Sequence, residues 1–275
     1  MNTGWKLFLA NKGAVFGSLL LILIAFAGIF GKVLYPVSAA DIVAAPMSPP
    51  SWSLPLGADY LGRDVLAGLL HGAGTTLVIG LAATLTTVII GVVLGAISGF
   101  LGRRVDNVLM RITEFFQVLP PILLAMVLVA VFGPKIWNVI LVIGLVMWPP
   151  LARLTRGEFL RLKQSEFVRA EYAMGSGNLN IMFGVLLPNA SPPLIVAAAL
   201  NIGTAILFES GLSFLGLSDP DVASWGYMIG SSRDYIFDAW WSVIFPGMAI
   251  FLTVLAISLV GDGLNDALNP KLRQR

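Results

Sequence analysis

The chain of 275 residues has no cysteine and a single histidine. The first absence excludes disulfides and thiolate metal sites. The second excludes a histidine metal cluster, because His71 stands alone. No metal site is expected. Charge is scarce as well. Only 12% of residues are Asp, Glu, Lys or Arg, against about 25% in soluble domains. The net charge is +2, and no basic face is interleaved with aromatics, so nucleic acid is not expected as a partner. A phosphate loop of the form G-x-x-x-x-G-K-[ST] is also missing. The one Gly-Lys pair, Gly31-Lys32, is followed by Val33. A serine–histidine dyad would need His71, which falls outside the second apolar run. The chain is therefore expected to be no enzyme and to bind no cofactor itself.

What is present is apolar. Hydrophobic residues make up 57% of the chain, and its mean hydropathy is +0.87. A water-soluble core of this length cannot bury so much, so the chain reads as an all-α integral membrane protein. Six runs are long enough to span the hydrocarbon, at about 14–35, 75–100, 112–133, 136–153, 191–215 and 240–261. Pro120 and Pro121 interrupt the third run, and Pro149 and Pro150 the fourth. Such prolines are tolerated where neighbouring groups satisfy the freed carbonyls. Lys6 and Lys12 precede the first run as they would in a signal peptide. That run is longer than the usual stretch of about 7–15 residues and has no clean small-residue cleavage site, so it is expected to stay.

Basic residues set the orientation. With both termini cytoplasmic, 13 of the 17 Lys and Arg fall inside, and only Lys32, Arg63, Lys135 and Arg233 fall outside. The expected division is a cytoplasmic segment 1–13, a first transmembrane helix 14–35, and an extracytoplasmic segment 36–74. A five-helix core 75–262 follows, then a cytoplasmic tail 263–275. In the outer segment, Leu61, Val65, Leu66, Leu69 and Leu70 recur at helical spacing, which predicts a short amphipathic helix on the outer face. Trp225, Trp240 and Trp241 fall where an outer aromatic belt belongs. Glu114 is expected to pair with Arg111 or Arg104, and His71 to be a partly buried polar residue of the outer helix.

The core contains one long, charged inner loop, 154–190. Leu160, Phe167, Ala170 and Met174 share one helical face there, so one or two short helices are expected. Gly175 and Gly177 break them, and Pro188, Pro192 and Pro193 mark the start of span five. The loop is either an ordinary polar connector or a helix offered to a soluble partner.

The loop resembles the "EAA" coupling loop of permease subunits of bacterial ATP-binding-cassette importers, whose pattern is E-A-A-x3-G-x9-I-x-L-P. Ala170, Gly175, Leu187 and Pro188 match in register. Arg169 stands at the Glu position, Glu171 at the second Ala and Val185 at the Ile. Three further stretches resemble the dipeptide/oligopeptide/nickel branch of that family: LGADYLGRDVLAGLLHGA (56–73), ESGLSFLGLSDPDVASWGYMI (209–229) and WWSVIFPGMAIFLTVLAISLVGDGLNDALNPKLR (240–273). They occur in the family's order, and the chain is similar to the second, shorter permease of that branch.

The resemblance implies a type I importer permease fold in a bacterial plasma (inner) membrane. It implies three kinds of partner besides lipid: a second permease, two ATPase subunits carrying ATP and Mg, and an extracytoplasmic solute-binding protein. The chain would form half of the pathway and couple ATPase closure to uptake of a small solute, with di- and oligopeptides as the plainest substrate. A nickel chelate or another small solute stays open, and so does the different class of an ion-driven secondary transporter. Phe167, Ala170, Tyr172, Ala173 and Met174 would be the apolar contacts to the ATPase. Arg169 and Glu171 would be rim contacts. Gly175 would be the hinge, with Leu187 and Pro188 closing the motif. Glu209, with Ser210 and Ser213, would line the path, or Glu209 would make an interhelical contact. Residues 57–64 and 219–235 would receive the binding protein, or simply pack.

Overall fold

In lipid a backbone must satisfy its own polar groups, and every long apolar run of this chain does so as helix. The structure, a computed structural model, describes residues 3–268. Asn11 separates α1 (Thr3–Ala10) from α2 (Lys12–Leu34), its side-chain oxygen accepting the Ala14 N–H at 3.1 Å. Then follow α3 (Val65–Leu101), α4 (Arg103–Val118), α5 (Pro121–Phe132), α6 (Ile136–Leu162) and α7 (Glu166–Ala173). α8 (Leu187–Phe214), α9 (Trp225–Ser232) and α10 (Trp241–Leu268) complete the fold. A π-helical stretch, Asn180–Leu186, runs directly into α8. Among the described residues there is no strand.

Five helices are long and apolar enough to cross a membrane: α2, α3, α6, α8 with its π-helical lead, and α10. α4 and α5 pass the same length and composition test only when taken together, and they meet at 87°, the shape of a broken span or a re-entrant pair. The third span is thus not the straight helix expected at 112–133. Pro120 and Pro121 disfavour helix in the residue before each, and Leu119 and Pro120 take extended ψ values of 138° and 124°.

Other boundaries move too. The amphipathic helix expected as a separate outer element does not exist. Asp64 caps α3 by accepting the N–H groups of Leu66 and Ala67 at 2.8 and 3.1 Å, and the helix runs unbroken through the second apolar run. Its 37 residues reach about 55 Å at ~1.5 Å per residue, well past a ~30 Å hydrocarbon core. The extra turns pack on α9, where Gly72 meets Trp225 and Gly68 meets Met228. α6 continues through Pro149 and Pro150 to Leu162, so the first part of the loop expected at 154–190 is spanning helix. Pro192 and Pro193 lie inside α8 rather than at its start. The π-helical stretch has a local cause in Pro188, which has no N–H to give the carbonyl four residues back. The Leu187 N–H instead reaches Met182 O, five residues back. Trp225 and Trp241 are buried and bonded, not belt residues; Trp240 alone of the three is exposed. The expected tail begins inside α10, and residues 269–275 lie outside the described residues.

The segment between α2 and α3 is irregular but anchored. Trp241 Nε1 donates to Ala58 O at 2.9 Å, beside Gly57 at φ +76°. Tyr35 donates its hydroxyl to Asp64 Oδ2 at 2.6 Å. That hydrogen bond, then burial, then the Asp64 charge push the Tyr35 pKa up to about 12. Because the folded value is raised, this contribution is complete below the ordinary tyrosine pKa and is lost only as pH climbs through 12.

α3 and α6 form the most extensive helix pair. Gly91, Gly95 and Gly99 line the contact, and α6 approaches their backbone directly. A methyl at Gly99 would stand 2.7 Å from Phe159 Cβ, and one at Gly95 2.6 Å from Thr155 Cβ. Gly95→Val is therefore expected to cost about 1–3 kcal/mol by overpacking. Thermal unfolding of the purified protein in detergent would show a lowered midpoint; an unchanged midpoint would mean that the helices part easily here.

Candidate functional site: a docking helix and a cleft

α7 is only eight residues long, too short to be stable alone. Neighbours hold it at both ends and from beneath. At its front, Lys163 Nζ donates to Phe100 O at 2.6 Å and lies 5.3 Å from the centroid of the Phe100 ring. Beneath, Val168 is 0% exposed and packs among Phe100, Phe159, Leu162, Ile181 and Leu186. At its end, the Gly175 N–H donates to Tyr172 O at 3.1 Å and the Ser176 N–H to Glu171 O at 3.0 Å. This is a Schellman cap, which places Gly175 in the left-handed region, at φ +82°. Gly175 thus ends the helix, with its N–H spent in the cap.

The outer face of α7 is apolar and open. Phe167, Tyr172 and Met174 are 42%, 43% and 71% exposed, and Arg169, Ala170 and Ala173 are exposed beside them. Glu171 is half-buried and accepts the Ser176 hydroxyl at 2.5 Å, so it serves the cap instead of standing free at the rim. Leu187 packs against the buried cluster under α7, and Pro188 is exposed on the first turn of α8; neither belongs to the open face. Sequence reasoning missed Val168, the anchor, and Leu179, an exposed apolar neighbour. Phe167 and Val168 are adjacent, so only one can turn inward, and composition does not say which.

A second link joins α6 to α4. Arg156 grips Asp106 with Nε to Oδ1 at 2.5 Å and Nη2 to Oδ2 at 2.6 Å, and Ser98 of α3 donates to Oδ1 at 2.5 Å. Bidentate pairing of this kind fixes direction as well as distance. The expected partner of the basic residues nearby, Glu114, is exposed and makes no ion pair among the described residues.

Between α4, α5, α6 and α8 lies a cleft of about 650 Å³. Phe116, Pro121, Met147, Leu154 and Phe208 wall it, with Gln117, Asn201 and Thr204 as its polar side chains. Among the described residues lining it, none is charged. Pro149 and Pro150 also lie on it. They deprive the carbonyls of Leu145 and Val146 of their usual helical donors.

Glu209, Ser210 and Ser213 are placed elsewhere, at the contact of α8 with α9. Glu209 is 3% exposed, and its Oε1 accepts from Ser213 and Ser224 at 2.9 and 2.8 Å. A methyl on Gly226 would stand 2.7 Å from its Oε2. Ser210 donates to Ile206 O at 2.8 Å. Of the two roles expected for Glu209, this geometry is that of an interhelical contact.

The family described as the binding-protein-dependent transport system inner membrane component matches residues 91–274, which include α7 and the cleft. The chain belongs to this family of transport permeases. The N-terminal transmembrane domain of oligopeptide transport permease C matches residues 2–50. The permease is 42% identical to the di/tripeptide transport system permease protein DppC of Pseudomonas aeruginosa, covering 98% of this chain and 91% of that one. It is also 42% identical to the dipeptide transport system permease protein DppC of Escherichia coli K12, over 98% and 93%. A putative peptide permease protein of Brucella ovis is 40% identical, over 96% and 89%. Among solved structures, an inward-facing MetNI methionine ABC transporter superposes with a TM-score of 0.58 at 20% identity, over 74% of this chain and 96% of that one. That likeness shows the fold alone. The permease is thus a multi-pass inner-membrane subunit of a binding-protein-dependent ATP-binding-cassette importer, and the ion-driven carrier is overturned.

A Cβ on Gly175 would meet nothing within 4 Å, so Gly175→Ala tests the backbone alone. The left-handed φ is expected to cost about 1 kcal/mol locally. Amide hydrogen exchange over 166–176 should then quicken about fivefold, with the rest of the chain unchanged. Equal rates would show that the cap does not hold the helix.

Proposed function

We propose that the permease imports di- and oligopeptides as one half of a heterodimeric pathway, with both termini and α7 on the cytoplasmic side. Two ATPase subunits holding ATP and Mg would dock there, and an extracytoplasmic binding protein would deliver the peptide at the opposite end. The observation that carries this reading is α7 itself, an exposed apolar helix face held rigidly at both ends and from below. Phe167, Ala170, Tyr172, Ala173 and Met174 are its apolar contacts, with Arg169 at the rim. Gly175 fixes the length of the helix, and Leu187 and Pro188 set the start of α8 beside it. The orientation is supported by the 13 of 17 basic residues it places inside. The substrate class is supported by the names of the 42% identical relatives.

The same geometry suggests how docking reaches the path. A push on α7 passes through Val168 and Lys163 to α6 and α3. Arg156 and Asp106 carry it to α4, and α4 and α5 wall the cleft. ATPase closure would therefore bias two arrangements of the cleft. A second permease would close its open side. The uncharged lining suits a conduit, since a path must bind its cargo weakly enough to release it.

Two substitutions test the two halves of this reading in the reconstituted importer. Ala170→Asp sets a charge in the apolar contact. Binding-protein-stimulated ATP hydrolysis and peptide uptake should fall together, by at least about tenfold (~1.4 kcal/mol of docking), while the chain still inserts. Undiminished hydrolysis and uptake would remove α7 as the docking element. Thr204→Trp fills the cleft. Uptake should be lost while stimulated hydrolysis persists; normal uptake would place the path elsewhere.

A further inference from the structure

At the end of the bundle away from α7, a pocket of about 290 Å³ lies between α2, α3, α9 and the irregular segment before α3. That volume is at the small end for ligand pockets. Its charged and titratable lining includes Lys32, Asp59, Arg63, Asp64, His71 and Asp221. The acids and the bases are not equally free. Asp59 Oδ1 accepts the N–H groups of Leu61 and Arg63 at 2.8 and 2.9 Å. Asp64 Oδ1 takes two helix N–H groups, and its Oδ2 takes the Tyr35 hydroxyl. Asp221 is exposed, where water solvates it. Two donors have no such partners: Arg63 Nε and His71 Nε2 are buried and unbonded. Lys32, like Asp221, is exposed to solvent and makes no hydrogen bond or ion pair among the described residues.

A buried donor without a partner is costly, and native structures supply one. Among its buried groups, the Asp64 carboxylate has both oxygens engaged inside the fold, while Arg63 Nε and His71 Nε2 remain open donors. A carboxylate answers that need: the guanidinium edge pairs with it in plane, and the ammonium adds charge. His71 adds a third donor in the tautomer that carries the proton on Nε2.

We propose that this pocket binds a carboxylate group presented on the extracytoplasmic side. The group has two sources, the C-terminal carboxylate of an arriving peptide and an acidic side chain of the binding protein. The inference rests on the orientation given under the proposed function.

The test uses the complete importer in lipid nanodiscs, where both faces are accessible. Two affinities are measured for the wild type and for Arg63→Ala: that of a labelled dipeptide without binding protein, and that of the binding protein. A loss of tenfold or more in either supports the site. If the dipeptide binds and both Arg63→Ala and C-terminal amidation of the peptide weaken it, the peptide is the source. If only the binding-protein affinity falls, the acidic side chain is the source. Changes below twofold in both affinities overturn the proposal. Arg63 lies in the anchored segment, so Lys32→Gln, at the end of α2, decides the matter by the same criteria if Arg63→Ala does not fold. Orientation is checked separately. The chain has no cysteine, so Ser38→Cys at the pocket gives a single label site in intact cells. Labelling only after the membrane is opened would defeat the orientation while leaving the nanodisc affinities readable.

Discussion

Gly91, Gly95 and Gly99 recur every four residues along one face of α3 and let α6 lie against its backbone. Between lipid-embedded helices there is little hydrophobic gain, so close van der Waals approach must supply the attraction. Side chains larger than hydrogen on this seam would push the helices apart and forfeit it. The seam makes α3 and α6 one stiff body. Each candidate feature of the permease is attached to that body: α7 follows the end of α6, the cleft uses the middle of α6, and the pocket at the opposite end of the bundle uses the start of α3.

Stiffness matters because α7 cannot hold itself. Its eight residues are below the length at which an isolated helix persists in water. Tertiary contacts supply the order instead. Val168 contributes burial, Lys163 satisfies a terminal carbonyl of α3, and the Schellman cap satisfies carbonyls of α7. The exposed face is left free of internal duties. Glu171 shows the division sharply: its neighbours on the helix point outward, and it turns back to Ser176. The bond between Asp106 and Arg156 extends the stiff body to α4, which the prolines at 120 and 121 separate from α5.

Much of this was legible in the sequence, for reasons that can be named. Apolar length gave the spans, because lipid admits only helices of about twenty residues or more. The stop at Gly175 followed from glycine's access to positive φ, and the short helix before it from the helical spacing of Phe167, Ala170 and Met174. Boundaries were less legible where proline was involved. The prolines of α6 and α8 were read as breaks or starts, yet neighbouring helices support them and the chain continues. Asp106 and Arg156 could not be paired from the sequence, because they lie 50 residues apart and meet only after α3 and α6 pack. Trp225 and Trp241 looked like belt residues because position along the chain gives depth but not direction. Their indole N–H groups instead bond carbonyls of the fold.

The distribution of charge joins these features into one argument. A fixed charge in the hydrocarbon is expensive unless it is paired or solvated within the protein. The chain meets this by confining charge to its ends. Asp106 and Arg156 neutralise each other near α7, and at the opposite end of the bundle Asp59 accepts turn N–H groups and Asp64 caps α3. The exception, Glu209, lies in a spanning helix but is buried among serines, away from the cleft. The cleft is left with amide, hydroxyl and carbonyl groups only. Such a lining can hydrogen-bond a peptide backbone at many places and hold none of them tightly. The contrast lies at the far end of the bundle, where Arg63 Nε and His71 Nε2 are buried donors without a partner.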